Sequence, residues 1–279
     1  MNVASPSVPQ SILLRAARHG RQVVKTAVDE RARRLLQREA KWLRELESVS
    51  ELDGQVPRVL DEGTDPDGRA YLVVTALPGT QSRVFTGNHA RFLASLGKAR
   101  FRATDFEVSG CCHWLQRGLR RLESGATSKA RATLEQAYHD CETALLYWTG
   151  PYVLSQGDFA PWNVRELGSQ LFVSEWGNAR NEASPLDDVL HYLMVQHALR
   201  ARAISASQLQ AAMRRAGEFA REAYPEWSWR PQVIGALTLV YLLEVLLSRS
   251  LAAGRLDRTD PVTGAYWKLL EKRSAWMPA

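Results

Sequence analysis

Between Val153 and Ala179 the chain reads VLSQGDFAPWNVRELGSQLFVSEWGNA. An acid, Asp158, is followed five positions later by an amide, Asn163, and a short apolar run then ends on a second acid, Glu175. That spacing suits phosphoryl transfer, where a protein supplies position and charge neutralisation. Asp158 would accept the proton of a substrate hydroxyl or align that hydroxyl with the phosphoryl group. Asn163 would serve as a ligand to Mg²⁺, a hard cation that prefers oxygen ligands. Gln156 stands two residues before Asp158, and its amide can orient the loop through hydrogen bonds.

Such residues need elements to hold them. Residues 11–27 read as a hairpin, two runs rich in Val, Ile and Leu around a turn at Arg18-His19-Gly20-Arg21. The second run, QVVKTA, sets Lys25 inside an apolar strand. In the helical stretch that follows, Leu36, Leu43 and Leu46 recur at helical spacing, and Glu39 lies between them on the face that packs inward. VPRVLDEG and RAYLVVTALPG read as two strands around the turn Asp65-Pro66-Asp67-Gly68. From about residue 84 the pattern predicts helices over 87–103, 106–123 and 127–148, a short strand at Leu171-Phe172-Val173, and helices over 206–222 and 233–252. Ser184-Pro185-Leu186-Asp187 is a helix start, with serine as N-cap, proline first and an acid third. The expected architecture is α+β: a small β-rich N-terminal lobe over 1–80 and a large helical lobe over 81–279.

Composition narrows the classes. The chain has 279 residues, 45% hydrophobic and 24% charged, ordinary for a globular protein. The net charge of +6 is spread over many segments, with no aromatic-basic platform, which speaks against nucleic acid as a partner. Three cysteines without metal-ligand spacing argue against a disulfide framework and for a reducing, cytoplasmic location. MNVASPSVPQ lacks the apolar core of a signal peptide. The run Ala236–Leu247 is about half a bilayer span and contains Glu244, so it reads as a buried helix and not a stable membrane insertion.

The stretch from Leu154 to Leu193 resembles the signature region of aminoglycoside phosphotransferases and choline-kinase-like enzymes, within the protein-kinase-like superfamily. That pattern is His-Gly-Asp-x4-Asn, a strand ending in Asp, often Asp-Trp-Glu, and a Pro-Leu-x-Asp helix start. Here it corresponds to Gln156-Gly157-Asp158, Asn163, Glu175-Trp176 and Pro185-Leu186-Asp187-Asp188. The wording GDFAPWN also resembles phosphotransferase-like proteins encoded among bacterial polysaccharide genes. The resemblance is strongest over about 150–193, looser towards the N-terminus, and fades after about 200. It implies a bilobal protein-kinase-like fold, with ATP and Mg²⁺ as cofactors. Lys25 would contact the α/β-phosphates and Glu39 would orient it. The backbone of Thr75, Ala76 and Leu77 would hydrogen-bond the base. Asp188 would steady the catalytic loop.

Three departures bear on activity. Gln156 replaces histidine, and Glu175 replaces the metal-binding aspartate. Only about ten residues, none of them glycine, precede the first strand, so a loop covering the phosphates is expected to be shortened or missing. Two readings follow. One is an ATP-dependent phosphotransferase acting on a hydroxyl of a small molecule, sugar, aminoglycoside-like or choline-like. The other is a catalytically impaired pseudokinase, a binding or scaffold protein in a setting such as polysaccharide biosynthesis. Glu218, Glu222, Trp227 and Trp229 are acceptor-side candidates, with packing the stronger expectation for the tryptophans.

Overall fold

In chain order the elements are β1 (Gln10–Ala17), β2 (Gly20–Ala27), α1 (Glu30–Leu46), β3 (Val59–Thr64), β4 (Ala70–Thr75), β5 (Thr80–Gln81) and α2 (Gly87–Ala99). Then come β6 (Phe101–Asp105), α3 (Gly110–Arg121), α4 (Ser128–Leu145), β7 (Thr149–Ser155), β8 (Val164–Leu167), β9 (Gln170–Val173) and β10 (Arg180–Ala183). Four helices finish the chain: α5 (Asp187–Ala201), α6 (Ala206–Ala223), α7 (Pro231–Ala253) and α8 (Pro261–Glu271). This computed structural model describes residues 10–17, 20–122, 126–201 and 203–278. The residues Arg18-His19 of the expected hairpin turn, and residues 1–9 of the N-terminal run, lie outside them.

Packing divides the chain into two compact units, the first made of residues up to Ala99 plus Gln156–Arg180, the second of Arg100–Ser155 and Asn181–Ala279. In the first, an antiparallel sheet in the order β1-β2-β4-β3 forms because its strands alternate side chains between two faces. The register sets Lys25 opposite Ile12 on one side and Leu72 on the other, so all three share a face. Helix α1 starts where Asp29 Oδ1 accepts the Ala32 N–H at 2.7 Å. Its buried stripe contains Ala32, Leu36, Ala40, Leu43 and Leu46, with Glu39 among them. A carboxylate in such a stripe requires a partner. A second sheet in the order β5-β8-β9 carries the strands on either side of Gly168.

In the second unit β6 pairs antiparallel with β7, Phe101 opposite Val153 and Asp105 opposite Thr149. Phe101–Asp105 is thus a strand, where the periodicity predicts the end of a helix. Pairing with the buried β7 overrides the local helical preference, and α2 ends at Ala99. Strand β7 ends at Ser155, next to the Gln156 loop. Helix α7 is buried nearly all round, as a central helix is. It is the one helix among the described residues long and apolar enough to cross a membrane, and 78% of its apolar window is buried. Helix α5 begins at Asp187, later than the sequence suggests, while Ser184 Oγ accepts the Leu186 N–H at 3.3 Å. Helix α8 went unread in the sequence, although Asp260 as N-cap followed by Pro261 is its signal.

Candidate active site

The partner of Glu39 is Lys25. The Lys25 ammonium lies 2.8 Å from both oxygens of Glu39 and 2.6 Å from Glu175 Oε1, and Lys25 is 2% exposed. Glu39 Oε1 also accepts the Trp176 N–H at 3.3 Å. Burial alone would push the Lys25 ammonium's pKa down, but the two carboxylates outweigh it and hold it above its ordinary value. One strand, one helix and the segment after β9 thereby converge on a single cation.

Glu175 reaches Lys25 from an unusual backbone, with φ 62° and ψ 64°. A side chain other than glycine in this left-handed region carries strain that its surroundings must offset. The offset comes from Gln156, whose Nε2 donates to the carbonyls of Ser174 at 2.8 Å and Glu175 at 2.6 Å. The same side chain accepts the Asp158 N–H on Oε1 at 2.8 Å. Gln156 thus ties the backbone of Asp158 to that of Glu175. This is the orienting work expected of the residue at this position, carried out by an amide instead of an imidazole.

Asn163 Nδ2 donates to Asp158 Oδ2 at 2.9 Å and to the Asp158 carbonyl at 2.8 Å. The Asn163 carbonyl accepts from Ser174, from N at 2.9 Å and from Oγ at 3.2 Å. The loop can close this tightly because Gly157 has φ +80°, and a Cβ there would collide with the Asn178 carbonyl. Pro161 is buried and Trp162 half-buried, consistent with stiffening the loop. In the second unit, Asp188 Oδ1 accepts from Ser155 Oγ at 2.9 Å, steadying the residue that leads into Gln156.

The expected metal ligands offer two oxygens. With Nδ2 committed to Asp158 and Oε1 to Lys25, Asn163 Oδ1 and Glu175 Oε2 have no hydrogen-bond partner among the described residues. No group of three or more His, Cys, Asp or Glu gathers as a metal cage among them. Mg²⁺ beside a phosphate chain needs only one or two protein oxygens, so the pair fits it.

Thr75, Ala76 and Leu77 sit at and just beyond the end of β4. The Thr75 N–H donates to the Arg58 carbonyl and the Ala76 N–H to the Arg21 carbonyl, each at 3.0 Å. Of the three amides, Leu77 N–H alone has no acceptor among the described residues. Ile12, missed in the sequence, lies 59% exposed on the sheet face that carries Lys25. The pairing register, which the sequence does not state, is the signal that finds it. Trp229 is an anchor: it is buried, donates from Nε1 to the Tyr224 carbonyl at 2.8 Å and packs against Trp148. Trp227 packs edge-on against Phe101.

Among solved structures the chain is similar to the aminoglycoside phosphotransferase APH(4)-Ia, with a TM-score of 0.65, 15% identity, and coverage of 99% of this chain and 93% of that one. A variant of an aminoglycoside 2'-phosphotransferase-IIIa in its GDP complex gives 0.61, 15%, 91% and 85%. Amicoumacin kinase hAmiN, in complex with AMP-PNP and Ca²⁺, gives 0.58, 12%, 97% and 87%. These likenesses establish the protein-kinase-like fold. No curated protein sequence matches. The model of the phosphotransferase enzyme family matches residues 8–169, more than half of the chain, and the protein belongs to that family.

Proposed function

We propose that this protein is an ATP-dependent phosphotransferase that acts on a hydroxyl group of a small molecule. The observation that carries the reading is the tie made by Gln156. It joins the Asp158 end of the loop to Glu175, whose carboxylate meets the Lys25 ammonium that Glu39 also holds. This linkage of five residues spread from 25 to 175 supports phosphoryl transfer, which depends on position and charge neutralisation.

In this reading the base lies against the face of the sheet carrying Ile12, and the Leu77 N–H donates to it. The Lys25 ammonium, kept protonated by two carboxylates, attracts the α/β-phosphates. Asn163 Oδ1 and Glu175 Oε2 would hold Mg²⁺, which would supply charge neutralisation on the phosphate chain. Asp158 accepts the acceptor hydroxyl's proton on a carboxylate oxygen, while Asn163 Nδ2 fixes the orientation of that carboxylate. A form of APH(4)-Ia is solved with ADP and hygromycin B, which supports a small-molecule acceptor here.

The pseudokinase reading has its own observation. Glu175 Oε1 is paired with Lys25, so a carboxylate occupies part of the cation that phosphates would use. The phosphotransferase reading requires nucleotide binding. Calorimetric titration with Mg·ATP tests it; a measurable affinity is expected, and no binding at millimolar ATP would sink the kinase reading.

A further inference from the structure

Glu166 lies three residues beyond Asn163, and its carboxylate collects three donors from the segment entering α2. Ser82 Oγ donates to Oε2 at 2.7 Å, while Thr86 Oγ1 and Asn88 Nδ2 donate to Oε1 at 2.8 Å and 3.0 Å. Burial would raise the Glu166 pKa, but these donors outweigh it and hold the carboxyl below its ordinary range. The neighbouring Arg165 donates to the Gly79 carbonyl from Nε at 3.1 Å and from Nη2 at 2.8 Å. The backbones pair as well: Thr80 stands opposite Glu166, Gln81 opposite Arg165, and the Ser82 N–H donates to the Val164 carbonyl at 3.1 Å. Gly79, at φ +84°, permits this approach, because a Cβ there would collide with the Glu166 carbonyl.

The same network reaches the other end of the loop. The Thr86 N–H donates to His89 Nδ1 at 3.1 Å. The His89 ring stands edge-on to Phe159 at 6.0 Å, and Phe92 stacks on Phe159 at 6.1 Å. Phe159 is the residue after Asp158. The chain leaving Leu77 is therefore pinned both to the strand that leaves Asn163 and, through α2, to the neighbour of Asp158.

We propose that Glu166 is a positioning residue that fixes Asn163 in register with the Leu77 segment, so that a divalent cation and a nucleotide bind as one arrangement. The proposal rests on the nucleotide-binding reading above. A carboxylate that only stabilised the fold would affect nucleotide binding equally with and without the cation. A positioning residue acts on the difference, because only the cation-bound state needs both Asn163 and the Leu77 segment in place.

The test is calorimetric titration of AMP-PNP, with and without Mg²⁺, into wild-type protein, Glu166→Ala and Thr86→Val. In the wild type Mg²⁺ tightens binding. In Glu166→Ala that tightening falls by about tenfold, while the Mg²⁺-free affinity stays within about twofold. Thr86→Val removes one donor and gives a smaller loss of the same kind, which keeps the proposal testable if Glu166→Ala does not fold. Full Mg²⁺-dependent tightening in the variants, or equal weakening under both conditions, overturns the role of Glu166 alone. Wild-type protein that binds no AMP-PNP overturns the nucleotide reading and this proposal with it.

Discussion

Shortening Glu175 by one methylene probes the contact most particular to this chain. Glu175→Asp withdraws the carboxylate by about 1.5 Å, one C–C bond. The backbone cannot follow easily, because Gln156 Nε2 holds the Glu175 carbonyl at 2.6 Å. The present 2.6 Å separation from the Lys25 ammonium becomes about 4 Å, too long for a hydrogen bond. At an effective dielectric constant of about 20, two unit charges attract by ~6 kcal/mol at the shorter distance and ~4 kcal/mol at the longer. About 2 kcal/mol of attraction is lost, offset in part because aspartate adopts the left-handed backbone more readily than glutamate. A net loss of about 1–2 kcal/mol lowers Tm by about 3–5 °C in a chain of this size. Lys25 keeps Glu39, so the variant stays folded. Mg·AMP-PNP affinity falls about tenfold, because the metal-side carboxylate moves with the same shortening. Thermal melting and calorimetry read the two effects. A variant that melts at or above the wild type and binds Mg·AMP-PNP more tightly would refute the reasoning. It would mean that the backbone prefers aspartate and that glutamate is the defect.

Gln156→Ala and Glu175→Asp combined should show a coupling energy of about 1 kcal/mol or more in a double-mutant cycle on stability; strict additivity would break the link drawn through Nε2. Gly157→Ala places a side chain at φ +80° against the Asn178 carbonyl, and urea unfolding should show a loss of about 1–3 kcal/mol; a change within ~0.5 kcal/mol would contradict the close approach. His89 is fully buried, and burial outweighs the pull of Glu166, lowering its pKa to about 4. Its contribution to stability is therefore complete above the unfolded value of about 6.5 and is lost as pH falls from there towards 4, by up to about 3 kcal/mol. In His89→Asn that part of the pH slope should vanish; parallel pH profiles for the two proteins would contradict the buried neutral imidazole.

What the sequence disclosed was order. Lys25 in an apolar run, Glu39 at an inward helical position, Asp158 with Asn163, and the acid after a short strand are all local patterns, and each fell on the expected element. The orienting role of Gln156 was readable through the family resemblance, because the histidine it replaces orients the loop through hydrogen bonds and an amide can supply them too. What stayed hidden depends on distance in space. The Lys25–Glu175 contact joins residues 150 positions apart, and Glu166 takes its donors from about 80 positions away. Neither leaves a periodic trace. Residues 101–103 fall in the expected helix for the same reason, since the strand character of Phe101–Asp105 comes from pairing with β7 and not from its own composition. The short β7 and β8 strands around the loop follow the same logic.

The central claim, transfer of a phosphoryl group to a small-molecule hydroxyl with Asp158 as the base, is tested most directly by ³¹P NMR. Wild-type protein and Asp158→Asn would be incubated with Mg·ATP and a panel of sugars, aminoglycosides and amino alcohols. The wild type is expected to lose the γ-phosphate signal and gain a new phosphomonoester resonance, with a rate lower by about 10²–10⁴-fold in Asp158→Asn. Nucleotide binding without any new resonance across the panel, identical in the two proteins, would contradict it and favour a binding protein built on the same fold.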